Sequence, residues 1–249
     1  MWTRKELKVR GKAAFQANYW RSVLAALLIV FVIGSGASTV KNSYDNGKEQ
    51  IPSETTVDVT IDGRHYTNIT DALNALPKEV VAATAAAVLG AIGLSAVAGI
   101  LIDILLINPL EVGCRRFFFV NSAEPGDLKE LTYGFQHHYG NVVETTLLRD
   151  VYHILWTLLF IVPGIVKAFS YSMVPYILAE NPEMKPKEAI TLSRQIMNGN
   201  KWKLFVLDLS FIGWDILSVI TLGIVGVFYA SPYQCATHAE FYKAIRQAD

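Results

Sequence analysis

Cysteine is almost missing from this 249-residue chain: Cys114 and Cys235 stand alone, and neither belongs to a CxxC or a Cys/His metal spacing. Two such residues build no disulfide framework and indicate no redox centre. Charge is scarce as well, at 18% of residues, and 22 basic residues balance 22 acidic ones. No basic field therefore points to nucleic acid as a partner. The sequence also lacks a Walker loop, a GxGxxG after a strand, a GxSxG elbow and an HExxH, so the common catalytic and cofactor-binding arrangements have no residues to stand on. What is abundant is apolar: 52% of residues are hydrophobic and the mean hydropathy is +0.31. That balance is too apolar for an ordinary water-soluble fold.

The apolar residues come in long runs. Ser22 to Val40, Val80 to Ile102 and Ile216 to Ala239 are 19, 23 and 24 residues without a charge, against roughly 20 needed to cross a hydrocarbon core of about 30 Å. The first run follows a basic stretch and ends at Lys41 without a small-residue cleavage site, so it reads as a retained anchor and not as a signal peptide. Further spans follow from length. A single helix over Val142 to Glu180 would run to about 58 Å, nearly twice the core, so it divides into Val142 to Val162 and Gly164 to Ala179 with a helix break at Pro163-Gly164. Trp202 to Ala239 divides likewise, near Thr221 to Gly226. The expected fold is all-α, a polytopic transmembrane bundle of about six spans forming one membrane domain over residues 1–249.

Orientation follows from the cations. Arg4, Lys5, Lys8, Arg10, Lys12, Arg21, Arg115, Arg116, Lys129, Lys185, Lys187, Arg194, Lys201, Lys203, Lys243 and Arg246 are 16 of the 22 basic residues, and six spans place them all on one face. That face is expected to be cytoplasmic, with both termini on it, in a bacterial plasma membrane.

Between the first two spans, residues 41–78 form a polar, mildly acidic outer loop. Val57 to Ile61 alternates apolar and polar, Asp62-Gly63 is a turn signal, and Arg64 to Ile69 returns antiparallel, which predicts a small extracellular β-hairpin. Two strands alone are marginal in water. Thr70 or Asp71 is expected to cap a short helix, with Pro77 near the start of the second span. On the inner side, residues 1–18 read as an amphipathic lipid-surface helix capped through Thr3 and Glu6. Residues 185–199 read as another: Pro186 opens it, Ala189, Leu192, Ile196 and Met197 share a face, and Gly199 ends it. Lys201-Trp202-Lys203 then marks the headgroup layer.

Several blocks together resemble the bacterial membrane-protein family called domain of unknown function 975. They are Asn18-Tyr19-Trp20, Pro109 to Phe117, Leu155 to Lys167, Tyr171 to Asn181, Glu188 to Ile190 with Ser193-Arg194, Lys201 to Phe205, Leu209 to Trp214, Thr221 to Gly223 and Ser231 to Tyr233. The resemblance covers nearly the whole chain outside the outer loop. It implies a polytopic membrane protein and carries no activity with it.

The candidate functional residues are ionisable groups at membrane depth, which are costly there unless paired or hydrated. Asp103, Arg149, Asp150, His153 and Asp208 fall towards the cytoplasmic third of their spans, and Asp215 lies seven residues beyond Asp208 on the same helical face. One reading is a proton or cation relay. The other is that Arg149 neutralises Asp150 or Asp208 and ties helices together. His137-His138 with Glu144 makes a poor metal site, because adjacent helical residues point in different directions. Ala86/Gly90 and Ser95/Gly99 in the second span allow close helix approach, within one chain or across a dimer.

Three functional classes follow. The first is a non-enzymatic scaffold or interaction protein of the envelope, without cofactor or metal, touching membrane lipids and a membrane-protein partner or a second copy of itself. The second is a small transporter using the intramembrane carboxylates. The third, an enzyme acting on lipid headgroups, would need Asp150 and His153 open to the interface.

Overall fold

The computed structural model describes residues 2–30, 56–61, 64–68 and 76–247. Contacts divide the chain into two units, Met1–Ile33 with Asp103–Asp249 and Gly34–Ile102.

In the first unit, α1 (Arg4–Ala17) starts where the Thr3 hydroxyl accepts the Glu6 N–H at 3.2 Å, satisfying one of the donors a helix start leaves bare. The capping box forms by half, since the Glu6 carboxylate pairs with Arg10. Leu7, Gly11 and Phe15, spaced four apart, form one buried stripe. The chain then turns by 108° into α2 (Tyr19–Val30). Asn121 secures this corner: its amide donates to Ala14 O at 2.9 Å, and its oxygen accepts from Asn18 at 2.8 Å and from the Gly126 N–H at 3.0 Å.

The second unit holds β1 (Thr56–Ile61) and β2 (Arg64–Asn68), paired antiparallel with Thr60 opposite His65 and an irregularity between Thr56 and Val59. The Asp62-Gly63 turn, the cap at Thr70 or Asp71 and the stretch from 31 to 55 lie outside the described residues. Helix α3 (Lys78–Ile102) follows Pro77, and no residue of it is buried. A Cβ added at Gly90 or Gly99 would meet nothing within 4 Å.

The first unit resumes with a π-helical turn, Asp103–Ile107, and α4 (Asn108–Asn121), opened by Pro109 where the missing N–H costs nothing. After short turns come α5 (Tyr139–Leu159), α6 (Ile161–Tyr171), α7 (Val174–Glu180) and α8 (Pro186–Ile196). They are followed by α9 (Lys201–Leu209), α10 (Ile212–Ile220), a π-helical segment Gly226–Ala230 and α11 (Ser231–Arg246). The core gathers α1, α4, α7, α8 and α11 around Phe15, Phe117, Tyr176, Ile196 and Tyr242. In α8, Pro186 stands in the first turn, Ala189, Ile190, Ser193 and Ile196 are buried, and Gly199 takes φ +74.

Three details differ from the sequence reading. The reversal between α5 and α6 falls at Phe160, which is extended (φ −157, ψ 139), and not at Pro163-Gly164. Pro163 stands in the first turn of α6, the one place in a helix where it removes no hydrogen bond. Gly164 packs α6 against α5, where an added Cβ would lie 2.8 Å from Thr157 Cα. Second, the stretch from Trp202 to Ile220 is interrupted at Ser210-Phe211, so Asp208 and Asp215 do not share one helix. Third, α1 buries its apolar stripe against α11: Gly11 lies so close to Thr237 that a Cβ would stand 2.8 Å from its Cα. Arg4, Lys5, Arg10 and Lys12 remain outside, and the greasy side of the helix meets protein instead of lipid. The turn expected between Thr221 and Gly226 is present, with Leu222 at φ 51 and Gly223 at φ 87.

Among the described residues, two helical stretches suit a membrane crossing by length and composition, Lys78–Asn121 and Ile161–Glu180, or three if the bent pair of α1 and α2 makes one span. Close packing at α4 offers a check on the core. Gly113 lies against the backbone of Leu131, so Gly113→Ala is expected to destabilise by about 1–3 kcal/mol. Gly90→Ala, inside a helix and facing open space, should not lower the unfolding midpoint of the detergent-solubilised protein. Equal midpoints for the two variants would contradict this packing.

Candidate functional site

Two polar assemblies lie inside the first unit. The first is built by α4 and α5. Asn108, Glu111 and Arg115 follow at three- and four-residue steps and so share one face of α4. Helix α5 presents Arg149 and Asp150 to that face. The Glu111 carboxylate lies between two guanidiniums, 2.9 Å from Arg149 Nη1 and 3.3 Å from Arg115 Nη2. Arg149 Nε and Nη2 are both 2.8 Å from Asp150 Oδ1. The Asn108 amide donates to Asp150 Oδ2 at 2.8 Å, and its oxygen accepts from Arg149 Nη2 at 3.4 Å. Two cations meet two carboxylates with little water between them, since the side chains of Glu111, Arg115 and Arg149 are about 15% exposed. A closed, neutral set of this kind suits helix tethering, because each charge already has its counter-charge.

The second assembly joins α9 to α11. His238 Nε2 stands 2.5 Å from Asp208 Oδ1. Beside the pair is a cavity of about 250 Å³, also lined by Arg115, Ser172, Tyr176 and Leu204. Arg115 therefore faces Glu111 on one side and this cavity on the other. Its guanidinium lies 5.4 Å from the centroid of the Tyr176 ring. The Tyr176 hydroxyl and Arg115 Nε feel each other's field without meeting in hydrogen-bond geometry. Tyr176 stacks on Tyr242 at 5.1 Å, and Tyr242 donates to Glu180 Oε2 at 2.7 Å. Burial, reinforced by the Glu180 carboxylate, pushes the Tyr242 phenol well above its ordinary value. The protonated form is thus the one the fold favours: its contribution is present below a free phenol's pKa of about 10 and is lost as pH rises beyond it.

Of the residues singled out from sequence, Arg149 and Asp150 come together, but Asp208 belongs to the other assembly. Asp103, exposed in the π-helical turn, lies in the field of Asp150, Arg149 and Glu111 and bonds to none of them. His153 is half-buried and Asp215 exposed, and among the described residues neither side chain finds a polar partner. The neighbours His137 and His138 separate, the first stacking on Tyr133 and the second reaching Glu183 at 3.0 Å. No group of three metal-ligating side chains occurs among the described residues.

Sequence reasoning missed Asn108, Glu111, Arg115, Tyr176 and His238. Glu111 and Arg115 stand four apart, acid before base, which is the spacing of a helical ion pair. Arg115 reads instead as part of a basic cytoplasmic stretch when only its sign is counted. His238 carried a weaker signal, a lone polar ring late in an uncharged run.

No curated protein and no solved structure matches the chain. Residues 158–249 match the family model described as Protein of unknown function (DUF975). That stretch holds Tyr176, Asp208 and His238 and leaves the Arg149 network outside it. From the end of α5 through α11, the chain is similar to the DUF975 family.

Proposed function

We propose that the protein is a non-enzymatic scaffold of a bacterial plasma membrane, with both termini in the cytoplasm, which contacts lipid and a membrane-protein partner or a second copy of itself. One observation carries the reading: in the network of Glu111, Arg115, Arg149 and Asp150 every charge is answered within the chain. A relay needs a group left free to change its partner; a tether needs the opposite. The apolar helix α3, with no buried residue, supplies a surface for lipid or a second membrane helix.

A small transporter is the second reading, favoured by the cavity that reaches Asp208 and His238. Proteoliposomes loaded with a pH-sensitive dye and given a potassium–valinomycin potential separate the two. The scaffold reading expects the same dye response from the unaltered protein, from Asp208→Asn and from empty vesicles. A proton flux in the unaltered protein that Asp208→Asn abolishes, at equal reconstitution, would replace the scaffold by the transporter.

A further inference from the structure

The hairpins that turn at Phe160 and after Ile220 rise only part of a bilayer's depth above the polar groups that hold their bases, although Ile161–Glu180 taken by itself is long enough to cross. Depth can be measured from α1, whose outward face carries the exposed Arg4, Lys5, Arg10 and Lys12; such a face belongs in water or among headgroups. Helix α11 runs antiparallel beside it for nearly its whole length. Trp2 meets Phe241 at 5.3 Å, Gly11 abuts Thr237, and Phe15 meets Tyr229 at 5.6 Å. Residues 229–241 therefore share the depth of a charged, hydrated helix, although sequence alone assigns most of them to a span.

The opposite leg is held at the same level. Lys8 Nζ donates to Ser210 O and Oγ, both at 3.2 Å, and stands 4.3 Å above the Phe211 ring. Beyond Ser210-Phe211 only the nine residues of α10 remain before the turn, a rise of about 13 Å against a hydrocarbon core of about 30 Å.

The turn is made for oil. Ile220, Leu222 and Ile224 are 71%, 94% and 63% exposed, where a loop emerging into water would be polar. Its backbone is satisfied from within, as hydrocarbon demands. The N–H groups of Leu222, Gly223 and Ile224 donate to Val219 O, Ser218 O and Thr221 O, and that of Val225 donates to the Thr221 hydroxyl. The hairpin of α5 and α6 repeats the design. From Asp150, held in the ion-pair network, to Leu159 is again about 14 Å of helix, and Leu159, Phe160, Ile161 and Val162 at its tip are all exposed. Pro163 brings no N–H to that tip, and the Gly164 N–H returns to Phe160 O.

We propose that these two hairpins, turning at Phe160 and at Thr221 to Gly223, dip into the acyl chains of the cytoplasmic leaflet and return to the face they left. The crossings are then the two segments that contain α2 and α3, an even number that keeps both termini on one side. The partner of the exposed hairpin surface is the lipid of a single leaflet. Beneath it, Lys201 and Lys203 flank Trp202, which is 71% exposed, at the place where anionic headgroups would meet them. The inference rests on the membrane orientation proposed above.

Single cysteines introduced as Asp58→Cys, Ile161→Cys, Leu222→Cys and Lys187→Cys give the test, with a membrane-impermeant maleimide on intact cells and a depth measurement in proteoliposomes. Labelling is expected at position 58 alone in intact cells, and at position 187 after permeabilisation. A bimane probe at position 222 should be quenched most by lipids spin-labelled near the end of the acyl chain. Labelling of positions 161 and 222 from outside to the extent seen at 58, or strongest quenching at 222 by headgroup spin labels, would overturn the hairpins as one-leaflet elements. Failure of position 58 to label would instead overturn the orientation, and the quenching profile, which is blind to sidedness, would still decide the depth.

Discussion

Replacing Arg149 by alanine is expected to lower unfolding stability by about 3–5 kcal/mol, the size associated with stranding buried charges. Without it Glu111 keeps only Arg115, and Asp150 keeps only the Asn108 amide. Two carboxylates then face the same poorly hydrated space. The measurement is a denaturation midpoint for the detergent-solubilised protein, followed by helical circular dichroism. The double variant Glu111→Gln with Arg149→Met removes charge of both signs and should recover much of the loss. A midpoint for Arg149→Ala within experimental error of the unaltered protein would mean that the network tethers nothing.

Phe211→Ala should cost a comparable amount, about 3–5 kcal/mol. The ring is fully buried at the junction of α9 and α10, edge-on to Tyr233 at 5.0 Å and under the Lys8 ammonium. Its loss leaves a cavity where the hairpin is moored to α1 and α11. Lys8→Met, which removes the ammonium and keeps most of the apolar stem, is expected to cost under about 1 kcal/mol. If the two variants were equally mild, the hairpin would not be seated through Phe211.

Part of the structure is legible in particular residues. Thr3 and Glu6 mark the start of α1, Pro186 opens α8 and Gly199 closes it, and the turn after Ile220 stands where the length argument puts it. These are local signals, carried by residues within a few positions of the feature they specify. The break at Phe160 was misplaced because Pro163 and Gly164 look like a turn when read in isolation. Proline is equally at home in the first turn of a helix, and only the packing of Gly164 on Thr157 tells the two apart.

The polar assemblies show the same divide. That Arg149 and Asp150 need partners follows from their apolar surroundings, and a four-residue step relates Glu111 to Arg115. That Glu111 is shared by both guanidiniums, and that Asp208 turns to His238 instead, depends on helices distant in the chain. Composition and run length by themselves determined an apolar, helical chain with segments fit for a bilayer, because helix formation and hydrophobicity are properties of neighbouring residues. Tertiary structure alone decided which apolar face meets protein, which charge answers which, and how far each hairpin rises above α1. Those outcomes depend on distances between helices, and the backbone sets such distances only once the chain has packed.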